Sequence, residues 1–244
     1  MIKAIVTGHS RGLGGGMAQA LLARDVRVLG VSRRSNAALA ERFSQNLQEV
    51  TLDLSDAQAA QSWLAGAEMR DFLADAQTAI LINNAGIVQP IGPSGALDIA
   101  TIAQAVTLNI AGPLMAANAF IAATEKVADR RIMHISSGAG RRPMPGWSIY
   151  CATKAALDHH ARSLAADTVP HLAIESLAPG VIDTDMQGEI RATTPEQFTL
   201  REQFVAMKQN NDLSSPESCG EAIVAHLLGP RFGAEVITDI RQLG

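Results

Sequence analysis

Residues Thr7-Gly8-His9-Ser10-Arg11-Gly12-Leu13-Gly14 join an apolar run at residues 2–7 to a helical pattern at residues 14–23. Glycines in such a turn let backbone N–H groups approach a pyrophosphate, and the start of the helix favours its negative charge. The spacing Gly-x-x-x-Gly-x-Gly differs from the commonest dinucleotide fingerprint. The motif therefore predicts a phosphate-binding site. The alternative is that its glycines only allow the strand to pack closely on the helix.

Short β-rich runs alternate with helical patterns outward from this turn. The candidate strands lie at residues 2–7, 26–31, 49–52, 79–82, 131–136, 173–177 and 235–238, and the candidate helices at 14–23, 56–75, 101–124, 148–168 and 216–228. Such alternation predicts right-handed βαβ units and an α/β fold with a parallel sheet that helices cover on both faces. Because no linker divides the chain, we expect a single domain over residues 1–244.

Size and composition restrict the class of protein. A chain of 244 residues, 47% of them hydrophobic, is long enough for one large α/β domain. The net charge of −4 argues against a nucleic-acid partner, which would usually require a basic stripe. No run reaches the ~20 apolar residues of a membrane span, since Pro113 and Asn118 interrupt the best candidate at residues 111–123. We expect neither nucleic-acid nor membrane binding.

The cysteines, the histidines and the start of the first strand argue against disulfides, a metal site and a signal peptide. Cys151 and Cys219 have no metal-like spacing and predict a reduced protein without disulfides. The first strand starts at Ile2, which leaves no room for a signal peptide before it. His159 and His160 are adjacent and point to different sides of a helix, so we expect no metal site. These observations favour a cytoplasmic protein.

Residues 183–212 depart from the regular alternation. The segment is long, mixed in polarity and follows the carboxyl end of a strand, where ligands bind in open α/β sheets. We interpret it as a substrate lid, and the alternative is a surface excursion. Its apolar residues would contact substrate or anchor the loop: Met186, Phe198, Phe204 and Met207.

The end of the second strand predicts the cofactor type. In dinucleotide folds an acid at this point binds the 2′-OH of NAD, whereas an Arg accepts the 2′-phosphate of NADP. The strand runs into Arg33 and Arg34 with no acid, and Arg11 in the Gly-rich turn adds a third cation. A guanidinium suits phosphate because its N–H groups match the oxygens. We expect NADPH, although Arg33 and Arg34 are alternatively solvated surface charges.

Two further strand ends fit a nucleotide site. Asp53 and Leu54 follow the third strand. The Asp53 carboxylate would accept a hydrogen bond from the adenine amino group, or Asp53 is only a capping or turn residue. Asn83-Asn84-Ala85-Gly86 ends the fourth strand, and its small residues and amides let the chain pass close to a cofactor. Asn-rich strand ends are also common turns.

The fifth strand and the following helix carry the candidate chemistry. Tyr150, the only tyrosine, and Lys154 are four residues apart and share a helix face. A phenol with a pKa near 10 is a poor acid–base group, and we expect the Lys154 ammonium to lower that pKa. Tyr150 would then donate a proton to a carbonyl oxygen, while Ser137 binds that oxygen. The alternative is a packed ring beside a surface charge.

These residues together resemble the short-chain dehydrogenase/reductase family. The resemblance rests on Thr7-Gly8-x-x-x-Gly12-x-Gly14, Asn83-Asn84-Ala85-Gly86, Asn109, Ser137, Tyr150-x-x-x-Lys154 and Pro179-Gly180, in family order and spacing over nearly the whole chain. It implies a Rossmann-like doubly wound sheet of about seven strands in three layers (α/β/α). It also implies a tetrad in which Tyr150 is the acid/base, Lys154 binds the nicotinamide ribose, Ser137 orients the substrate and Asn109 holds a water.

The same resemblance implies contacts to the nicotinamide end of the cofactor from Pro179, Gly180, Val181 and Thr184. With the residues above, the expected cofactor site comprises Gly8, Ser10, Arg11, Gly12, Leu13, Gly14, Arg33, Arg34, Asp53, Leu54, Asn84, Ala85, Gly86, Tyr150, Lys154, Pro179, Gly180, Val181 and Thr184. In this family the helices equivalent to 101–124 and 148–168 form a dimer contact, so we expect a homodimer or a tetramer.

Residues 146–151 and 178–187 are similar to the sepiapterin reductase and benzil reductase branch of the family, which reduces diketones and pterin side-chain ketones with NADPH. The acid that anchors the pterin ring in sepiapterin reductases falls on Ile237 here, and Asp239 is the possible substitute. Trp147 and Met186 are expected near the substrate. Arg141 and Arg142 are interpreted as a solvated loop pair or as attraction for a polar substrate.

The sequence therefore predicts an NADPH-dependent oxidoreductase that reduces a small ketone or diketone. The alternatives are a 3-oxoacyl-carrier-protein reductase, a secondary-alcohol dehydrogenase and, outside the enzymes, a non-catalytic NADPH-binding regulator.

Overall fold

Seven strands form one sheet within residues 1–243, the part of the chain that the computed structural model describes. They are β1 (Ile2–Thr7), β2 (Arg27–Ser32), β3 (Leu47–Thr51), β4 (Thr78–Asn83), β5 (Asp129–Ile135), β6 (Leu172–Ala178) and β7 (Ile237–Asp239). All neighbouring strands are parallel, in the order β3-β2-β1-β4-β5-β6-β7. The strand sequence reverses direction between β1 and β4, as in a doubly wound Rossmann-like sheet. The predicted fold class is confirmed.

Helices cover both faces of this sheet. They are α1 (Gly12–Leu22), α2 (Ala37–Arg42), α3 (Ala57–Ala65), α4 (Glu68–Leu73), α5 (Ile99–Val106), α6 (Gly112–Ala123), α7 (Ser148–Ala166), α8 (Asp185–Arg191), α9 (Arg201–Gln209) and α10 (Pro216–Leu228). On one face Val6 of β1 shares a core cluster with Ile223 of α10. On the other face Ile5 shares a cluster with Phe120 of α6, because successive side chains of a strand point to opposite faces.

Helix boundaries are where the structure departs most from the sequence-based expectations. The stretch 56–75, predicted as one helix, forms α3 and α4, because the chain leaves the helical conformation at Gly66. The sequence does not predict α2, whose six residues are too few for a clear helical period. The Asn36 side chain caps α2 by accepting a hydrogen bond from the Leu39 N–H at 3.1 Å.

A π-helical turn, Thr107–Ala111, joins α5 to α6. Pro113 and Asn118 were expected to interrupt the apolar run 111–123, but both lie within α6, and Pro113 is in its first turn, where a missing N–H is tolerated. Among the described residues, the resulting run Ile99–Ala123 is the one helix whose length and composition alone would allow it to cross a membrane. Its Phe120 is fully buried in the domain, so the run forms part of one helical layer.

Candidate active site

A cavity of about 640 Å³ lies at the carboxyl ends of the strands, at the point where the strand order reverses. Ligands bind at this position in open α/β sheets. All the residues expected to bind cofactor line it, from Gly8 in the first turn to Thr184 after β6. A depression of about 770 Å³ lies at the opposite edge beside Lys3 and Arg27, and it contains none of the expected site residues.

The Gly-rich turn packs tightly on the neighbouring strand ends. A Cβ at Gly14 would collide with the Gly8 carbonyl oxygen and the Asn84 side chain, so only glycine fits there. The Asn84 side chain donates a hydrogen bond to the Thr7 carbonyl oxygen at 2.9 Å, and the Thr7 hydroxyl accepts from the Ala85 N–H at 3.0 Å. These bonds join the ends of β1 and β4 and give the cavity a rigid floor.

Three charged residues surround the part of the cavity that follows β2 and β3. Arg33 and Arg34 line the cavity and are exposed. Asp53 accepts hydrogen bonds from the Ser55 hydroxyl (2.7 Å) and N–H (2.9 Å), which lower the pKa of its carboxyl, and the charge of Arg33 lowers it further. Asp53 is therefore a turn residue that also faces the cavity, and Asp56 caps α3.

Arg11, the third predicted cation, also lines the cavity, but it forms an ion pair with Asp185 at the start of α8. Both side chains are largely exposed. An exposed pair of this kind contributes little to stability. The contact links the Gly-rich turn to the segment 183–212.

Tyr150 lies in the first turn of α7 and is buried beside Ser137, which follows β5. Burial raises the pKa of Tyr150 to about 12, and hydrogen bonding with the Ser137 side chain opposes this rise. The direction is opposite to the expected one, because loss of hydration disfavours the phenolate and Lys154 does not offset it. The phenol consequently keeps its proton at neutral pH.

Lys154 is buried one helical turn after Tyr150. Its Nζ atom donates a hydrogen bond to the Ile135 carbonyl oxygen at 2.8 Å and lies 5.7 Å from the centre of the Tyr150 ring. Burial lowers the pKa of Lys154 to about 8, and the negative charge of Asp158 opposes this shift. The amine faces the cavity, as the sequence predicts, but its present hydrogen bond is to the main chain.

Asn109 is the one expected catalytic residue that does not line the cavity. It is buried in the π-helical turn, where its side chain accepts from the Ile87 N–H (2.9 Å) and donates to the Ile87 carbonyl oxygen (2.8 Å). A Cβ at Gly86 would lie 3.1 Å from Asn109 Oδ1 and 3.7 Å from Lys154 Nζ. Asn109 thus lies behind the cavity wall and positions the chain at Ile87, which does line it.

Aromatic side chains form the wall next to Tyr150. The Trp147 ring stacks on Phe198 with centres 4.7 Å apart, and it meets Tyr150 edge-on at 5.2 Å. Phe204 packs against Trp147 at 5.5 Å. Phe198 is fully buried, so it anchors the segment 183–212 onto Trp147.

The segment 183–212 contains α8 and α9 and supplies much of the cavity wall. Met186 lines the cavity as expected. Further residues of this segment, which the sequence does not single out, line it as well: Asp183, Asp185, Gln187, Glu189, Ile190, Leu200 and Gln203. They were missed because two short helices give no regular hydrophobic period. At its base, the Asp183 N–H donates to the Ser214 carbonyl oxygen at 2.9 Å.

Arg141 and Arg142 are both exposed, as the solvated-pair interpretation expects, but Arg141 also forms an ion pair. Its guanidinium lies 3.3 Å from the carboxylate of Asp158, which is buried, and donates to the Thr238 carbonyl oxygen at 2.7 Å. The Asp158 carboxylate is a buried charge that requires a partner, and Arg141 provides one. Arg142 is exposed and lines the cavity.

Asp239, the residue expected to replace the pterin-anchoring acid, lies at the end of β7. The Asp239 carboxylate accepts hydrogen bonds from the Arg241 side chain (2.8 Å) and N–H (3.0 Å), which lower the pKa of its carboxyl. Arg241 lines the cavity, whereas Asp239 and Ile237 do not. The cavity therefore meets a guanidinium here rather than a carboxylate.

Comparisons with known proteins agree with this geometry. The sequence model described as short chain dehydrogenase matches residues 3–195. Benzil reductase ((S)-benzoin forming) of Bacillus cereus is 35% identical over 231 residues, covering 90% of this chain and 91% of that relative. Sepiapterin reductase of Bos taurus is 29% identical over 248 residues, covering 93% and 90%. The crystal structure of a short-chain dehydrogenase/reductase from Burkholderia vietnamiensis has 43% identity and a TM-score of 0.73, covering 100% and 98%.

Proposed function

The chain belongs to the short-chain dehydrogenase family, and from this we propose that it is an NADPH-dependent reductase of small ketones or diketones. One observation carries the proposal. Tyr150, Ser137 and Lys154 line the same cavity as the Gly-rich turn, so a nucleotide and a carbonyl compound would meet there. An acid–base group beside a hydrogen-bond donor is what carbonyl reduction requires.

The cavity fits a dinucleotide. The close approach at Gly14 leaves backbone N–H groups for a pyrophosphate at the start of α1, and Pro179, Gly180, Val181 and Thr184 would hold the nicotinamide end. Arg33 and Arg34 favour a 2′-phosphate over a free 2′-hydroxyl, which supports NADPH. When bound, the cofactor supplies the hydride.

The residues around Tyr150 provide the proton and orient the substrate. The Ser137 hydroxyl donates a hydrogen bond to the carbonyl oxygen, and the Tyr150 hydroxyl donates its proton as that oxygen gains electron density. A phenol with a pKa of about 12 keeps its proton at neutral pH but is a weak acid, so it donates only as the carbonyl oxygen becomes strongly basic. Lys154 would bind the nicotinamide ribose, and Asn109 would hold the chain at Ile87 in place.

The substrate site is proposed to lie between Tyr150 and the aromatic wall. Trp147, Phe204 and Met186 give it an apolar surface, which suits a ketone or diketone with apolar substituents. The 35% identity to a benzil reductase supports a diketone in particular. The segment 183–212 would act as a lid, because it lies over the cavity with Met186, Phe204 and Met207 in the cavity wall.

We also propose a homodimer in the cytoplasm. Ile99 and Val106 on α5 are exposed large apolar side chains, and the run Ile99–Ala123 is less than half buried within the chain. A second copy packed on the helical layer of α5, α6 and α7 would remove this apolar surface from water.

The test is turnover by the purified full chain. We expect NADPH oxidation, followed by absorbance, with vicinal diketones, and weaker or no oxidation with acetoacetyl esters. Faster turnover of acetoacetyl esters would instead indicate an acyl-carrier-protein reductase. Tight NADPH binding without turnover of any carbonyl compound would contradict the proposal and indicate a regulator.

A further inference from the structure

His9 in the Gly-rich turn is fully buried and points away from the cavity. Its Nε2 atom lies 2.6 Å from Oε1 of Glu49 on β3. A carboxylate only accepts hydrogen bonds, so Nε2 carries the proton and donates it. The Nδ1 atom of His9 makes no hydrogen bond to residues 1–243, so the contact to Glu49 is the one directional bond of this ring within the described chain.

The same Glu49 oxygen binds the loop that carries the two arginines. Glu49 Oε1 accepts a second hydrogen bond, at 2.7 Å, from the backbone N–H of Asn36. Residues 33–36 form the loop between β2 and α2, and Asn36 caps α2. The loop therefore begins at the end of β2 and is fixed at its other end by the carboxylate that His9 holds.

The sheet leaves room for this contact at Gly30. Gly30 of β2 pairs with Glu49 of β3, and a Cβ at position 30 would overlap the His9 ring. The imidazole therefore crosses over β2 to reach β3, which requires glycine between them. His9, Glu49 and Asn36 thus connect the phosphate turn, the third strand and the arginine loop in one network.

We propose that His9 is a positioning residue for cofactor selection, which acts through Glu49 to hold the loop 33–36 so that Arg33 and Arg34 face the 2′-phosphate. This inference rests on the proposed use of NADPH. The hydrogen bonds from His9 and Asn36 also fix the direction of the Glu49 side chain. A carboxylate released near this end of the site would repel a phosphate, or accept from the 2′-hydroxyl of NADH.

The experiment measures affinity without turnover. Isothermal titration of the full chain with NADP⁺ and NAD⁺ gives the two Kd values. Their ratio, Kd for NAD⁺ divided by Kd for NADP⁺, measures the preference for NADP⁺. We expect His9→Ala to weaken NADP⁺ binding about tenfold, as for loss of a hydrogen bond to a charged group, with NAD⁺ binding nearly unchanged. His9→Gln, whose amide N–H takes the place of Nε2–H, should keep the wild-type ratio.

Variants of Glu49 separate geometry from charge. Glu49→Gln keeps an acceptor oxygen for His9 and Asn36 and should retain the preference for NADP⁺, whereas Glu49→Ala should lose it. Should His9→Ala fail to fold, Glu49→Ala carries the test. His226→Ala is the matched control, because His226 forms a similar buried pair with Glu175 (2.8 Å) between α10 and β6, remote from the arginine loop.

The outcomes distinguish the inference from the proposed function. Equal weakening of both cofactors by His9→Ala, or a ratio equal to that of His226→Ala, would overturn the positioning role. If Arg33→Ala lowers the ratio while His9→Ala and Glu49→Ala do not, NADPH use stands and the inference fails. If the wild-type chain does not prefer NADP⁺, both the proposed cofactor and this inference are wrong.

Discussion

Lys154 places its Nζ atom 5.7 Å from the centre of the Tyr150 ring, one turn further along α7. Burial raises the pKa of Tyr150 to about 12 and lowers that of Lys154 to about 8. At neutral pH the chain thus holds a protonated phenol close to an ammonium group. The proton is therefore available on Tyr150, but the raised pKa makes its hydroxyl a weaker acid than an ordinary phenol.

Replacing Tyr150 with Phe should reduce kcat about 10³-fold, because the proton donor is lost. The ring and its contact with Trp147 remain, so the NADPH Kd and the melting temperature should stay near the wild-type values. Steady-state NADPH oxidation and fluorescence titration measure the two effects. Substantial remaining turnover would remove Tyr150 from the proposed mechanism.

The pH profile should depend on Lys154. Its pKa is lowered to about 8, so the ammonium is present below that pH and lost above it. We expect kcat/KM for carbonyl reduction to be flat near pH 7 and to fall above about pH 8, because kcat/KM reports the free enzyme. In Lys154→Arg the charge persists to much higher pH, so the break near pH 8 should disappear. A break that persists in this variant would assign it to another group.

Arg33→Ala should weaken NADPH binding about 10- to 100-fold and leave NADH binding nearly unchanged, since one charge-assisted contact to the 2′-phosphate is removed. Arg42 on α2 is a matched control, because it is an exposed arginine that lies over the Phe43 ring and not in the cavity. Arg42→Ala should leave both Kd values at the wild-type level. Equal weakening of the two cofactors by Arg33→Ala would mean that this residue does not read the phosphate.

Phe198→Ala should raise the KM for the ketone without changing the NADPH Kd. Phe198 is fully buried and stacks on Trp147 at 4.7 Å, so its loss loosens the segment 183–212 over the substrate site. It should also lower the free energy of unfolding by about 3–5 kcal/mol. Phe120→Ala removes an equally buried ring from the sheet–helix core and should destabilise similarly without affecting KM. An unchanged KM in Phe198→Ala would argue against the lid.

Arg141→Ala should destabilise the fold by about 3 kcal/mol, because it leaves the buried Asp158 carboxylate without its ion pair. Arg142→Ala, which removes the adjacent exposed arginine, should change the melting temperature little. Thermal unfolding of the two variants measures the difference. Similar melting temperatures would show that Asp158 is satisfied by the Ser176 hydroxyl (2.7 Å) alone.

Much of the site could be predicted because its parts are local. A glycine turn between a strand and a helix, or a Tyr and a Lys one helical turn apart, can be read within a few residues of sequence. Trp147 and Phe198 were expected near the substrate or in the lid, but their stacking on each other could not be predicted, because they are far apart in the chain and α8 and α9 are too short for a clear period. The ion pair of Arg141 with Asp158 is hidden for the same reason.

The amino-acid sequence by itself determined the alternation of strands and helices, the order of the motifs and the residues at each strand end. These follow from backbone preferences and from the periodic burial of apolar side chains, which act over short distances along the chain. Only the tertiary structure decided the pKa of Tyr150, the place of Asn109 behind the wall, and the partner of His9 forty residues away. Those properties depend on which distant side chains exclude water from a group or donate to it, and no local pattern specifies that.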